Sequence, residues 1–183
     1  TDDSGQANRA VEQTATITIT GVNDAPVNTV SGASTDEDAA VAISGLSIAD
    51  ADANEVLVVT LSVVSGTLDI QNSGLGGPEA QISNNNSAAV TLTGSVAEIN
   101  GTLGGLLAVT YTPSENFFGT DTLTMTTTDG VGATDTDTAS ITVASVNDTP
   151  EVNGPLTATV IEDGVDVSLN LLDGASDVED GNN

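Results

Sequence analysis

Short runs of alternating apolar and polar residues recur along most of the chain. In the stretch 121–128, Leu123 and Met125 alternate with threonines, and the stretch 138–146 repeats the pattern. Successive side chains of a β-strand point to opposite faces, so this alternation predicts strands with one buried face. Runs rich in Val, Ile and Thr predict further strands at 39–47, 55–64, 88–94 and 106–112. Gly, Asn, Asp and Pro separate the runs, which is typical of an antiparallel β-sandwich.

One segment has a helical period instead. Ser95 is followed three residues later by Glu98, the pattern of a capping box at a helix start. Ile99 and Leu103 then fall on one helical face, and two glycines supply a stop. The sequence therefore predicts a short helix at about 96–103, packed on one end or edge of the sandwich.

The chain also repeats itself over a long distance. The stretch "ITITGVNDAP" (17–26) matches "ITVASVNDTP" (141–150) at six of ten positions. Two acidic landmarks, Glu37 and the stretch 50–52, recur in the same order at Glu162 and at 177–179. A period of about 125 residues is longer than a solenoid unit and fits a string of whole domains.

The repeat divides the chain into three parts. We expect residues 1–24 to be the C-terminal strand of a preceding repeat. Residues 25–148 form one complete repeat, and residues 149–183 form the N-terminal part of a following one. The predicted fold is therefore an all-β sandwich with one short helix, arranged in tandem repeats.

Composition and charge limit the classes of function that this chain is expected to have. Hydrophobic residues make up 38% of the chain, with no Trp, one Tyr and two Phe, so the core must be built from small aliphatic side chains. One Arg, no Lys and no His stand against 27 acidic residues, for a net charge of −26. Such a chain is not expected to bind nucleic acid, whose phosphates need Lys and Arg. The apolar runs are too short to predict a membrane span.

The chain has few of the residue types that act in catalysis. The chain has no Cys, His or Lys, so a thiol-metal site, a disulfide framework and a nucleophile activated by histidine are all excluded. Only carboxylates and hydroxyls remain, and nothing in the sequence indicates the cleft that a glycosidase acid pair needs. We therefore expect no enzymatic activity.

The acidic and amide residues cluster at predicted strand ends and domain junctions. Calcium takes 6–8 oxygen ligands from carboxylates, carbonyls and Asn side chains. The stretch 50–55 fails as an EF-hand, because Glu55 stands where a Gly is needed and Leu61 where a bidentate Glu belongs. No single loop holds enough ligands, so a calcium site would have to gather them from several segments. The alternative stays open that these Asn and Asp residues cap turns without any metal.

The motifs together resemble bacterial cadherin-like tandem repeats of large secreted or surface adhesins. They are the "VNDAP" after an "ITIT" strand, "VTLTGSVAEINGTLGGLLAVTYTP" (90–113), "YTPSENFFGTDTLTMTTTDG" (111–130) and "LLDGASDVEDG" (171–181). The resemblance covers nearly the whole chain. It implies an immunoglobulin-like or cadherin-like sandwich with calcium at the junctions between repeats.

The resemblance also implies which residues bind calcium. The ligands at the first junction would be Asn23, Asp24, Asp50, Asp52 and Asp129. Those at the second junction would be Glu37, Asn147, Asp148, Asp177 and Glu179. Asp3 and Glu162 occupy equivalent places in the partial repeats. Glu179 replaces the second Asp of the family pair, so the number of ions at each junction stays open at one or two. Asp135 and Asp137 are expected on a solvated strand face.

The resemblance implies an extracellular or bacterial cell-surface location. The expected function is a non-catalytic repeat that calcium makes rigid within a large adhesin, in cell adhesion or biofilm formation. Its partners would be neighbouring repeats of the same chain, and a cell surface, a glycan or a copy of itself. The alternative is an accessory ligand-binding or carbohydrate-binding module of a large secreted protein.

Overall fold

The computed structural model of the chain describes residues 14–18, 21–52, 55–72, 77–105, 108–152, 154, 162–163 and 175–177. These residues form strands and one helix, whose bounds are as follows: β1 Val27–Thr29, β2 Ala33–Asp36, β3 Val41–Ile43, β4 Ser47–Ala49, β5 Leu57–Ser62, β6 Gly66–Ile70, β7 Gln81–Ser83, β8 Ala89–Gly94, α1 Val96–Leu103, β9 Val109–Pro113, β10 Gly119–Thr128, β11 Thr134–Ala144, β12 Glu151–Val152 and β13 Ala175–Ser176.

Two sheets face each other across the core. One has six strands in the order β2-β11-β10-β5-β8-β7, and the other has three in the order β3-β9-β6. The pairs are antiparallel except β2 with β11, which run parallel. Alternate residues of β5, β8, β10 and β11 point inward, and Leu61, Leu92, Leu123 and Met125 are fully buried. The predicted antiparallel β-sandwich with one short helix is confirmed.

The helix α1 begins with the predicted capping box. The Ser95 hydroxyl accepts a hydrogen bond from the Glu98 amide, and the Glu98 carboxylate accepts one from the Ser95 amide at 2.7 Å. The backbone N–H and the hydroxyl of Ser95 both donate to the Glu98 carboxylate, and these two bonds lower the pKa of Glu98. The Asn100 side chain pairs with both backbone groups of Ile48, at 2.9 Å to its N–H and 2.8 Å to its carbonyl. The helix therefore holds strand β4 in place, and the chain that leaves β4 begins with Asp50.

Strand β1 brings the linker to the same end of the sandwich, because Val27 pairs with Ala49 of β4. The side chain of Asn28 fixes this strand. It is 6% exposed, and its amide donates to the carbonyls of Met125 and Asp135. As a result the residues just before β1 lie beside the residues just after β4.

Asp135 and Asp137 are not on the solvated face that was expected. They alternate with exposed threonines and lie on the same side of β11 as the buried Ile141 and Val143. The Asp135 carboxylate accepts the Asn28 amide hydrogen at 2.7 Å, so it helps to fix strand β1. The outward positions of β11 between 134 and 142 carry hydroxyl side chains instead.

The polar stretch 72–87 contains strand β7. This strand pairs with β8 through Ile82, which is opposite Leu92. Among the described residues, no helix is long and apolar enough to cross a bilayer.

We call the end of the sandwich that carries Asp50 and Asp129 the head, and the end that carries Glu37 the base.

Candidate metal centre

The turn between β10 and β11 holds Asp129 in a fixed orientation at the head. One oxygen, Oδ1, accepts hydrogen bonds from the backbone N–H groups of Val131, Gly132 and Ala133 at 3.0, 2.7 and 2.8 Å. The other, Oδ2, accepts the side-chain amide of Asn23 at 2.7 Å. The Asn23 hydrogen bond lowers the pKa of Asp129, burial opposes that shift, and the backbone donors add to it. Asp129 is therefore held as a carboxylate.

Two other acids at the head are less well supplied with donors. Asp50 follows β4, and its Oδ1 accepts the Asp52 amide hydrogen at 2.8 Å. Its Oδ2 is buried and has no hydrogen-bond partner among the described residues. Glu55 leads into β5, and its buried Oε2 also lacks a partner within the described part of the chain. A buried polar atom without a partner costs free energy, so these two oxygens need an explanation.

The carboxylates of Asp50, Glu55 and Asp129 come together at the head. One oxygen of each lies within 4.8 Å of the others, and we call this group the head cluster. Within the part of the chain that the structure describes, no other three carboxylates come this close. Two unit negative charges 4.8 Å apart repel by roughly 3–4 kcal/mol at an effective dielectric constant of about 20.

The protein has almost nothing with which to neutralise the head cluster. The chain contains one Arg, no Lys and no His. Its single arginine, Arg9, lies outside the described residues. Hard divalent cations bind carboxylate oxygens, and two oxygens on opposite sides of a calcium ion lie about 4.8 Å apart. Three carboxylate oxygens that lie within 4.8 Å of one another can therefore share one calcium ion.

The linker before β1 contacts the head through hydrogen-bond donors. Besides its bond to Asp129, Asn23 donates to the Asp24 carbonyl at 3.1 Å. The backbone amide of Asp24 donates to Oδ2 of Asp52 at 2.7 Å. The linker thus uses Asp52, which the sequence placed among the calcium ligands, as a docking point.

Of the five residues predicted at the first junction, two are in the head cluster and the other three lie beside it. The sequence reasoning missed Glu55, because the residue was considered only as a mismatch to the EF-hand pattern. Its position as the first residue of the predicted strand 55–64, directly after the acidic stretch 50–54, was an available signal. That position brings Glu55 back to the same end of the sheet as Asp50.

The acids of the second junction do not form a comparable cluster among the described residues. Glu37 is 4% exposed, and its Oε1 accepts the Val146 amide hydrogen at 2.6 Å. Its Oε2 is buried and has no partner in the described segments. Glu37 therefore ties the start of the repeat to the end of β11 and keeps one oxygen available for a cation at the base.

The following linker lies next to a polar cavity. Asn147 is exposed and donates to the Asp148 carbonyl at 2.8 Å. The cavity has a volume of about 490 Å³. It is lined by Asp38, Glu115, Asn116, Asp148, Thr149, Glu151 and Ser176. Four carboxylates from both sides of the linker thus border one space, but more loosely than at the head.

The remaining predicted ligands are dispersed. Asp177 is half-buried beside β13, and Glu162 is exposed in a turn. Asp3 and Glu179 lie outside the described residues. The structure therefore brings predicted ligands together at the head, and among the described residues the second set forms no such cluster.

A further buried acid, Asp121, accepts all of the hydrogen bonds described below from residues of its own repeat. It is 2% exposed and accepts backbone N–H groups of Val64, Ser65 and Thr122 at 3.0, 2.8 and 2.7 Å. The Tyr111 hydroxyl donates to it at 2.9 Å. Burial alone would raise the pKa of Asp121, but the four donors together lower it. Burial and the bond to Asp121 raise the pKa of Tyr111.

Solved structures similar to this chain are distant in sequence. CaCohA2 from Clostridium acetobutylicum is 11% identical, with a TM-score of 0.40, over 67% of this chain and 92% of that one. A cohesin–dockerin complex from Clostridium thermocellum is 7% identical, with a TM-score of 0.39, over 70% and 100%. The PKD domain from KIAA 1837 protein is 15% identical, with a TM-score of 0.23, over 79% and 100%. At these values the similarities indicate nothing about function.

No curated protein matches the sequence. A protein family does match, over residues 42–138, and it is described as the Protein GAMETE EXPRESSED 2 domain. Those residues are more than half of the 183-residue chain and run from β3 into β11. The chain therefore belongs to the Protein GAMETE EXPRESSED 2 domain family.

Proposed function

We propose that this chain is a non-catalytic extracellular repeat that binds calcium at its junctions with neighbouring repeats, and that bound calcium stiffens a large surface protein. The observation that carries the proposal is the head cluster, in which three carboxylates converge and two buried oxygens have no donor within the described residues. The family description names no ligand and no reaction, so the proposal rests on the site.

Calcium fits this set of oxygens better than other common cations do. The chain has no Cys and no His, so the soft and borderline metals lack their preferred ligands. Magnesium demands near-ideal octahedral geometry and keeps several waters, whereas calcium accepts 6–8 oxygens in flexible arrangements. Asp50, Glu55 and Asp129 would hold the ion, and the ion would supply the positive charge that the protein lacks.

The mechanical effect follows from where the cluster sits. The head cluster lies where the linker from the preceding segment meets the sandwich. Neutralising it removes the repulsion that opposes close approach of another acidic body. An adhesin spacer, with neighbouring repeats as partners and a cell surface, glycan or second copy at its tip, is the role we favour, and an accessory ligand-binding or carbohydrate-binding module is the alternative.

Calorimetric titration of the chain with calcium, followed by thermal melting, tests the proposal. We expect saturable calcium binding and a melting temperature that rises with calcium and falls on addition of EDTA, because a ligand that binds only the folded state stabilises it. Magnesium at the same concentration should have a much smaller effect. Identical melting curves in EDTA and in millimolar calcium would overturn the proposal.

A further inference from the structure

All three carboxylates of the head cluster come from the predicted complete repeat. Asp50 follows β4, Glu55 precedes β5, and Asp129 follows β10. Strands β4, β5 and β10 belong to one sandwich, and α1 holds β4 through Asn100. The positions of the three oxygens are therefore set by packing within one domain.

The linker approaches this cluster with donors. Asn23 offers its side-chain N–H to Asp129, and Asp24 offers its backbone N–H to Asp52, both at 2.7 Å. A hydrogen-bond donor cannot ligate a cation, because its nitrogen lone pair is not available. These two contacts place partial positive charge against the acids, which is also what a cation would do.

The side chain of Asp24, the linker's own carboxylate, is exposed. In contrast, the oxygens without partners belong to Asp50 and Glu55 and are buried in the head. The acids that lack donors therefore belong to the repeat itself, and the two donor contacts of the linker go to other acids, Asp129 and Asp52.

We propose that the head cluster binds its ion as a property of a single repeat, and that the linker docks beside the ion through hydrogen-bond donors without sharing it. This inference rests on the proposed calcium-binding function. Its consequence is that a junction can bend or separate while the ion stays with the repeat that follows the linker. Calcium would then set the charge and rigidity of each head, while the linker contacts set the angle.

The test compares a head variant with a linker variant in the full 183-residue chain. Calcium titrations are followed by the NMR amide signals of Val131 and Gly132, which donate to Asp129 and so report on the head alone. Glu55→Gln should raise the calcium dissociation constant by at least about 30-fold, because it removes a charged ligand. Asp24→Asn should change it by less than about threefold, because Asp24 contacts the head through its backbone N–H, which the substitution keeps.

Asp69→Asn is the charge control, because it removes one negative charge from strand β6 without touching the head. It should leave the affinity within about threefold of that of the unchanged chain. If Asp24→Asn weakens binding as much as Glu55→Gln does, the ion is shared across the junction and the inference is wrong. If the unchanged chain shows no calcium-dependent shift at Val131 and Gly132, the proposed function fails as well.

Discussion

Strand β10 has a buried acid near each of its ends, and the two acids are satisfied in different ways. Asp121 lies near the start of the strand and is 2% exposed, while Asp129 directly follows the strand and is 6% exposed. Asp121 has four donors from its own repeat and no acidic neighbour in its hydrogen-bond network. Asp129 also accepts four hydrogen bonds, but it stands beside Asp50 and Glu55, each of which has a buried oxygen without a donor among the described residues.

The difference distinguishes a structural carboxylate from one that is poised for a cation. A buried charge is tolerated when hydrogen bonds replace its lost hydration. At Asp121 the fold supplies that replacement in full, so no ligand is needed. At the head the fold concentrates charge and leaves oxygens without partners, so positive charge from outside the protein would lower the free energy of the folded state.

The largest expected effect is on stability, at Asp121. Asp121→Ala leaves the Tyr111 hydroxyl and three backbone N–H groups without their acceptor. We expect the free energy of unfolding to fall by about 4 kcal/mol, because each buried unsatisfied group costs about 1–3 kcal/mol. Urea unfolding should give the same loss in EDTA and in calcium.

The control for this change is Asp69→Ala. Among the described residues, Asp69 is half-buried and accepts from the side chains of Gln71 and Asn85, so its loss should cost less than about 1 kcal/mol. A calcium-dependent recovery of Asp121→Ala would break the comparison, because it would mean that Asp121 also serves a cation.

The second prediction concerns Glu55→Gln at the head, which should change the free energy of unfolding with opposite signs in the absence and in the presence of calcium. In EDTA, Glu55→Gln should raise the free energy of unfolding by about 1–2 kcal/mol, since it relieves part of the repulsion in the head cluster. In calcium at about 100 times the dissociation constant, the unchanged chain gains about 2.7 kcal/mol and the variant does not. The two stability curves should therefore cross as calcium is added.

Glu115→Gln is the matched control, because it removes the same charge from an exposed position near the base. It should shift stability by less than about 0.5 kcal/mol in EDTA. If Glu55→Gln has the same sign in EDTA and in calcium, the head carboxylates are structural in the same way as Asp121, and the distinction between the two ends is lost.

The sequence predicted much of the fold because its signals were local. The capping box at Ser95 and the alternation in β10 depend on neighbours within a few residues. Strands β1, β2, β6 and β7 were missed because they are only three to five residues long and are held by contacts far along the chain, such as Asn28 with Asp135. Asp135 itself was misplaced, although the inward phase set by Ile141 and Val143 extends back to it.

For the site, the sequence predicted the end of the fold but not the complete set of carboxylates. Repeat spacing and resemblance pointed to Asp50 and Asp129, because both recur at strand ends. Glu55 was missed because it joins the head cluster only when the end of β4 and the start of β5 lie side by side. No local sequence pattern encodes that arrangement. The hydrogen bonds that Asn23 and Asp24 donate could not be predicted either, since a sequence does not say which atom of an Asn or Asp residue faces the head.

The third prediction uses pH. Asp121 has a pKa below its ordinary value of 3.8 in the folded protein. Such a group adds stability above its unfolded pKa, and that stability is lost as the pH falls through the folded pKa. Asp121→Asn should cost about 2 kcal/mol at pH 7, because it removes the charge but keeps one acceptor. This difference from the unchanged chain should shrink below about pH 4.

Urea unfolding of both proteins between neutral and acid pH measures the difference directly. Comparing the two chains cancels the general relief of repulsion that acid brings to a protein of net charge −26. A difference that stays constant well below pH 4, or grows there, would contradict an ionised Asp121 held by its donors.

The smallest effect comes from removing one donor at each acid. Tyr111→Phe removes the hydroxyl that donates to Asp121, keeps the buried ring and leaves three N–H donors, so it should cost about 1–2 kcal/mol in urea unfolding. Asn23→Ala removes the side-chain donor to Asp129, and it should leave the unfolding midpoint in EDTA unchanged, because the linker is largely exposed and Asp129 keeps its three backbone donors. If Asn23→Ala proved as costly as Tyr111→Phe, the linker would be part of the folded head, and its donor would contribute as much to stability as a donor from within the repeat.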